Sequence, residues 1–363
     1  MKITSIETFA LDDDVALTRV RTDDGAEGIG ATSPYMARNT VRMLHDVVAP
    51  AFLGRDPWDL EALVSEFVRH HYKFYGSGLY RALCGVDTAV WDLLGHASGQ
   101  PVYRLLGGRL RERIPVYGSS MSRTITPEAE AERMAELAAT HGFRCFKLRV
   151  GVPMGADAEP WPGRSERIIA HVREVLGPDI GLHADANGGY SVARAIRIGR
   201  LLEDHDYLHF EEPCPFPQLE NSAKVAAALD IAVAGGEQDN SLEQFHRMIG
   251  IGAVDIVQPD VGYIGGVTRA RRVALMAEAA GFPCTPHCAN RSLLTVFTLH
   301  LAAAMPSISQ FQEWSIEDTG WTDRLYEPVP QVRDGEVALG TEPGWGVRID
   351  PSVFARAEHR ASR

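Results

Sequence analysis

The chain has 363 residues, 45% of them hydrophobic and 23% charged, enough for a large core in one big domain or two moderate ones. A formal net charge of −12, with no basic cluster to interrupt it, argues against a nucleic-acid partner. The absence of any long apolar run argues against a membrane one. Five cysteines, odd in number and without CxxC spacing, fit reduced buried thiols and a cytoplasmic setting.

From residue 1 to about 112 the pattern is strand, hairpin turn, strand and then helices: "KITSIETFAL", "VALTRVRTDDG" and the amphipathic "LYRALCGVDTAVWDLLGHASG". This predicts an α+β domain over 1–112. From Ile114 short apolar strands alternate with helical stretches: "IPVYGS", "CFKLRVG", "GLHADAN", "YLHFEEP", "IAVAGGE", "AVDIVQPD", "PCTPHCAN" and "SISQFQEW". Eight such strands imply a parallel sheet, and eight is the number that closes a (β/α)8 barrel, placed here over 113–320. The rest, 321–363, returns to hairpin texture in "RDGEVALGTEPGWGVRID" and is expected to pack back on the N-terminal segment. The Gly- and Pro-rich "GVPMGADAEPWPGRSER" after the second barrel strand reads as a loop at that strand's functional end.

In "CFKLRVG", Lys147 and Arg149 lie two positions apart and share one side of a strand. A solvated edge would carry such a pair equally well; a barrel interior would not without a reason. Three acidic strand ends follow: Asp185 in "HADAN", Glu211 in "HFEEP" and Glu237 in "AGGEQ", spaced 26 residues apart. Any one of them could cap the next helix. In a barrel, however, successive strand ends are neighbours, and three converging carboxylates repel unless a cation sits among them. An all-oxygen ligand set favours Mg2+ over zinc or copper. His183 shares the face of Asp185 but lies deeper along the strand, so it is read as a core histidine rather than a ligand. Asn187 and Tyr75 are candidate substrate contacts.

Asp260 ends the sixth barrel strand in "IVQPD" and His287 the seventh in "CTPHCAN". Adjacent strands lie about 5 Å apart, so the carboxylate can hydrogen-bond the imidazole, fix its tautomer and raise its basicity. His287 is therefore the candidate general base or acid, with a helix-capping Asp260 as the competing reading. Glu313 in "FQEWS" either completes a polar ring at the barrel mouth or is a solvated loop acid.

With these residues in place the chain resembles the mandelate racemase group of the enolase superfamily over almost its whole length. The resemblance rests on the "RTDDGAEGIG" turn, "GVDTAVWDLLGHASGQPVYRLLGG", the Asp/Glu/Glu set, "GYIGGVTRA" and the Asp260 and His287 pair. It implies an α+β capping domain, completed by the C-terminal tail, over a modified (β/α)8 TIM barrel. It further implies Mg2+ on the three carboxylates, proton abstraction α to the carboxylate of a small-molecule substrate, and a dimer or octamer of identical chains. The use of a Lys or His base with Mg2+ in this superfamily is an established pattern.

Two departures from the family pattern bear on function. Arg149 stands where the common motif Lys-x-Lys has its second lysine, and a guanidinium is neutral in only about a millionth of molecules at pH 7, so it makes a poor base. Lys147 and Arg149 then read as an electrostatic clamp on substrate oxygens, and His287 as the principal base. The first hairpin, "ETFALDDDVALTRV", has almost no loop where relatives often carry a substrate-covering lid, so specificity would fall to "RHHYKFYGSG", another subunit or the second-strand loop. A single base favours dehydration of an acid sugar, an aldonate or aldarate, to a 2-keto-3-deoxy acid. The alternatives are a racemase, epimerase or lactone cycloisomerase acting through the same enediolate, or a barrel that holds acid sugars without turnover.

Overall fold

The computed structural model describes residues 1–11, 14–74, 76–289, 291–308, 311–318 and 322–363. Strands β1 (Ile3–Ala10), β2 (Ala16–Thr22) and β3 (Glu27–Ala31) form an antiparallel meander. Its second turn closes with Gly25 at φ 87 and the Thr22 amide donating to the Ala26 carbonyl. The helix Ser77–Ser98 lies directly on β3. The contact is so close that a Cβ on Gly28 would stand 2.2 Å from the Leu93 nitrogen, and one on Gly30 2.3 Å from Thr88 Oγ1. Only glycine fits at either position.

That helix joins three parts of the molecule. Asp92 accepts from the Ile29 amide of the sheet at 2.7 Å and from the Trp345 amide of the tail at 2.8 Å. Trp91 donates its indole N–H to Thr268 Oγ1 of the barrel at 2.9 Å, and the Thr268 amide donates to Asp87 at 3.2 Å. One contiguous apolar cluster accordingly runs from Ile6 and Val20 through Leu148, Leu182 and Val233 to Trp345.

The barrel strands are β4 (Arg113–Ser119), β5 (Cys145–Arg149), β6 (Gly181–Asp185), β7 (His209–Glu211), β8 (Ala232–Gly235), β9 (Ile256–Val257) and β10 (Gln312–Ser315). They run parallel in the order β10-β4-β5-β6-β7-β8-β9. The seventh barrel position differs from the sequence expectation: "PCTPHCAN" makes only the isolated bridges Val257 to Cys284 and Asp260 to His287. Pro283 and Pro286 lack the N–H a continuous ladder needs. Closure toward β10 uses single bonds instead, from the Cys284 amide to the Ser307 carbonyl at 2.9 Å and from Gln312 Nε2 to the Pro286 carbonyl at 2.5 Å.

The tail carries β11 (Tyr326–Glu327), β12 (Glu336–Ala338), β13 (Arg348–Ile349) and β14 (Glu358–Ser362). β12 pairs antiparallel with the start of β4, and β14 adds to the free edge of β1, completing a four-stranded sheet in the order β14-β1-β2-β3. The fold is thus a modified (β/α)8 barrel under an α+β cap that the C-terminal tail completes. Among the described residues no helix is long and apolar enough to cross a membrane.

Candidate active site

The parallel register builds the site in two layers. Lys147, His183 and His209 are register partners on β5, β6 and β7, and two residues further along so are Arg149, Asp185 and Glu211. With a side-chain period of two, each pair on a strand faces the same way, into the barrel, and all six residues are buried. Glu237, just beyond β8, turns in beside them. One carboxylate oxygen each from Asp185, Glu211 and Glu237 lies within 4.8 Å of the other two.

The cations of the interior meet this cluster. Lys147 Nζ donates to both oxygens of Glu211 at 2.8 Å, and lies 2.8 Å from Glu313 Oε1 and 3.6 Å from Asp185 Oδ2. Burial alone would discharge this lysine, yet Glu211 and Glu313 outweigh burial and raise its pKa. Burial likewise opposes charge on Glu211, and Lys147 reverses that, holding the carboxyl well below its usual range. Arg149 pairs with Asp185 through Nη1 and anchors its Nε to the Ser120 carbonyl at 2.9 Å.

On the other side of the mouth His287 Nδ1 lies 2.7 Å from Asp260 Oδ2. Asp260 Oδ1 meanwhile accepts from the Tyr263 amide at 2.9 Å, so this residue caps its helix and orients the imidazole together. His287 Nε2 points back at the carboxylates, 3.2 Å from Glu237 Oε2 and 3.8 Å from Glu313 Oε2. Burial disfavours the imidazolium, but Glu237, Glu313 and Asp260 together raise its pKa to about 10. The cap closes on the pair from behind: a Cβ on Gly262 would lie 3.1 Å from Asp260 Oδ1 and 3.2 Å from Ser33.

Glu313 is no solvated loop acid. It is buried, accepts from Ser119 Oγ at 2.7 Å and from the Cys288 amide at 2.6 Å, and Lys147 and His287 bring its pKa down to about 2 against the effect of burial. His183, deeper than Asp185, stacks on His209 with centroids 3.6 Å apart and touches Cys145 Sγ at 3.4 Å, away from the carboxylates. Asn187 has protein partners at both ends of its amide: Nδ2 faces Asp185, Glu212 and Glu237 at 3.2–3.3 Å, and Oδ1 accepts from Arg149 and Arg123. Tyr75 lies outside the described residues.

Three residues of the mouth escaped the sequence reading. Glu212 is buried beside Glu237 and Glu211; burial and those two charges hold its carboxyl protonated well above the usual range. Gln258 donates to Glu211 Oε2 at 3.1 Å. Arg123, in the loop after β4, reaches Asn187 from above. The doubled acid of "HFEEP" and the glutamine of "IVQPD" were visible, but nothing in the spacing distinguished them; Arg123 had no signal at all.

A metal ion fits the three carboxylates on two structural grounds. The donors are all oxygen, and among the described residues Glu237 Oε2 is buried with no hydrogen bond, facing only His287 Nε2 at 3.2 Å, so that a cation would supply the partner it lacks.

Capped barrels with convergent acids at the strand ends form a recognisable class of proteins, and comparison with known families places this one within it. Residues 3–107 match the mandelate racemase / muconate lactonizing enzyme N-terminal domain, and residues 129–353 match the enolase C-terminal domain-like family. The chain belongs to the mandelate racemase / muconate lactonizing enzyme group of the enolase superfamily. It is 30% identical to a D-galactonate dehydratase of Pectobacterium atrosepticum, over 99% of this chain and 95% of the relative. A provisionally named racemase from Roseobacter denitrificans has a crystal structure that superposes with a TM-score of 0.97 at 48% identity, covering both chains completely. A mandelate racemase/muconate lactonizing protein from Paracoccus denitrificans, crystallised with magnesium, superposes with a TM-score of 0.90 at 30% identity over 99% of each chain.

Proposed function

We propose that this protein is a Mg2+-dependent dehydratase of acid sugars, converting an aldonate or aldarate to its 2-keto-3-deoxy acid. The observation that carries the reading is the asymmetry of the mouth: one imidazole, held by Asp260 with Nε2 facing the carboxylate cluster, opposite Lys147, which its acidic neighbours keep charged, and the Arg149 guanidinium. The likeness to a galactonate dehydratase over nearly the full length supports it.

Asp185, Glu211 and Glu237 would hold the ion. When bound, Mg2+ would stabilise the second negative charge that develops on the substrate carboxylate and neutralise the field that keeps His287 protonated. His287 Nε2 takes the proton α to that carboxylate, while Asp260, accepting from Nδ1–H, keeps the basic nitrogen toward the substrate. Lys147 and Arg149 stabilise the charge that accumulates on the substrate oxygens, with Glu313 fixing Lys147 and Asn187 fixing Arg149. The imidazolium returns its proton to the departing 3-hydroxyl, water leaves, and the remaining enol becomes the 2-keto acid.

The test is a screen of aldonates and aldarates with Mg2+ for 2-keto acid formation, followed by NMR of substrate and product in D2O. The likeness to the Roseobacter protein favours a second reading, racemisation or epimerisation through the same enediolate. Rapid α-deuteration with inversion and no 2-keto acid would select that reading over dehydration. Neither product nor exchange would leave a barrel that only binds.

A further inference from the structure

Among the described residues Arg123 has no ion-pair partner. Among those residues its guanidinium makes one hydrogen bond, from Nη2 to Asn187 Oδ1 at 2.7 Å, and that oxygen is already shared with Arg149 Nη1 at 2.9 Å. Its Nε is buried and bonded to nothing. Among the described residues no carboxylate oxygen lies within ion-pair distance of it. Two further guanidiniums crowd it: burial, Arg149 and Arg164 together bring its pKa down to about 9. Neither neighbour brings a spare negative charge, since Arg149 uses Asp185, and Arg164 is spent on the carbonyls of Arg149, Ser122 and Ile125.

Such an arrangement is unfavourable as it stands. A half-buried charge lacking a partner loses hydration with nothing in return, and nearby like charges worsen it. A planar fork of N–H donors is relieved best by a carboxylate. The protein's own acids stay out of ion-pair reach, with Glu237 acting on Arg123 only at longer range and too weakly to offset burial. Arg123 sits at the oxygen end of the Asn187 amide, whereas the nitrogen end faces Asp185, Glu212 and Glu237. One side chain therefore separates Arg123 from the carboxylate cluster, and a substrate carboxylate seated over that cluster, with Lys147 beneath, does not also satisfy Arg123.

We propose that Arg123 receives a second anionic group of the substrate, so that the preferred substrates are diacids of the aldarate class rather than monoacids. This rests on the acid-sugar reading above. It names Arg123 as a specificity-determining residue, in contact with the end of the substrate remote from the reacting carbon.

The experiment measures both turnover and binding on the Mg2+-loaded protein. Turnover is compared for matched aldarate and aldonate pairs; binding is measured by calorimetry with glutarate or adipate against the monoacids of the same chain length, none of which can be dehydrated. Wild type should favour the diacid by roughly 10- to 100-fold in both measurements, the size expected for a charge-assisted bidentate contact. Arg123→Met should collapse that ratio, and Arg123→Lys should keep part of it. Calorimetric Mg2+ affinity, measured alongside, shows whether the carboxylate cluster survives each substitution. The proposal is overturned if wild type shows no diacid preference, or if Arg123→Met and Arg123→Lys lower diacid and monoacid kcat/KM in equal proportion. If no acid sugar is turned over but the diacid binding preference exists and disappears in Arg123→Met, the dehydratase reading fails and the Arg123 assignment stands.

Discussion

Two adjacent layers of the barrel interior, built on the same three strands and equally buried, have opposite electrostatics. The upper layer, Arg149, Asp185 and Glu211, is ionic; of the lower layer, Lys147, His183 and His209, only the lysine is. Burial drives the His183 and His209 pKa values below the usual range, and the rings stack as neutral imidazoles. Lys147 escapes because its four-carbon stem carries the ammonium up to Glu211 and Glu313. His209 Nε2 does face Glu211 Oε2, at 3.6 Å, but burial outweighs that contact, whereas Lys147 meets Glu211 and Glu313 at 2.8 Å and keeps its charge. Asp87, at the seam between cap and barrel, extends the comparison. It is buried with a hydrogen bond from the Thr268 amide but, among the described residues, no cation within ion-pair distance, and burial raises its pKa to about 7.

The comparison breaks most severely at Asp185. Asp185→Asn removes one of three charges meant for a strongly hydrated ion and leaves Arg149 without its carboxylate. Mg2+ binding by calorimetry and turnover should both fall to background, with unchanged far-UV circular dichroism. Undiminished activity in this variant, or in exhaustive chelator, would remove the metal assignment.

Next in size is His287→Asn, expected to lose about 10^2- to 10^4-fold in kcat on an identified substrate, the usual worth of a positioned acid/base group. Asp260→Asn should lose less, by weakening the base, with an unchanged melting temperature. Near wild-type turnover in His287→Asn would make Lys147 the first suspect.

Lys147→Met sharpens the difference between the layers as a matter of stability. It strands Glu211 and Glu313, both buried, and should destabilise the fold by about 3–5 kcal/mol in urea unfolding, the typical result of breaking a buried pair from one side. A loss below about 1 kcal/mol would mean that solvent already screens the cluster.

The smallest effect is expected at Asp87. Its folded pKa of about 7 lies above the ordinary carboxyl value of 3.8, so the folded state holds the proton more tightly. The stability this contributes is complete below about pH 4 and is lost as pH rises from there to about 7. Asp87→Asn, which keeps an acceptor for Thr268, should gain more melting temperature relative to wild type at pH 8 than at pH 5. Equal shifts at both values would mean that Asp87 titrates like an exposed carboxyl.

Much of this was legible in the chain because it is periodic. The 26-residue spacing of Asp185, Glu211 and Glu237 reports one βα unit per step, and the two-residue spacing of Lys147 and Arg149 reports one strand face. The first period points to the barrel and to the convergence of the three acids; Asp260 and His287, 27 residues apart, were legible as partners only as the ends of neighbouring strands, with a helix cap as the competing reading for Asp260. The tertiary structure decided what periodicity does not encode. Prolines 283 and 286 reduced a predicted strand to two bridges, because a ladder depends on N–H groups that a hydrophobic pattern does not register. The same Asp260 proved both cap and partner, because a carboxylate has two oxygens and only coordinates show where each one points. Glu313 turned out buried rather than solvated, Asn187 braced between acids and guanidiniums, and Arg123 bonded to Asn187 with no ion pair among the described residues. Each of these depends on loops meeting across the barrel mouth, where position is set by packing between segments far apart in the chain and not by any repeat within it.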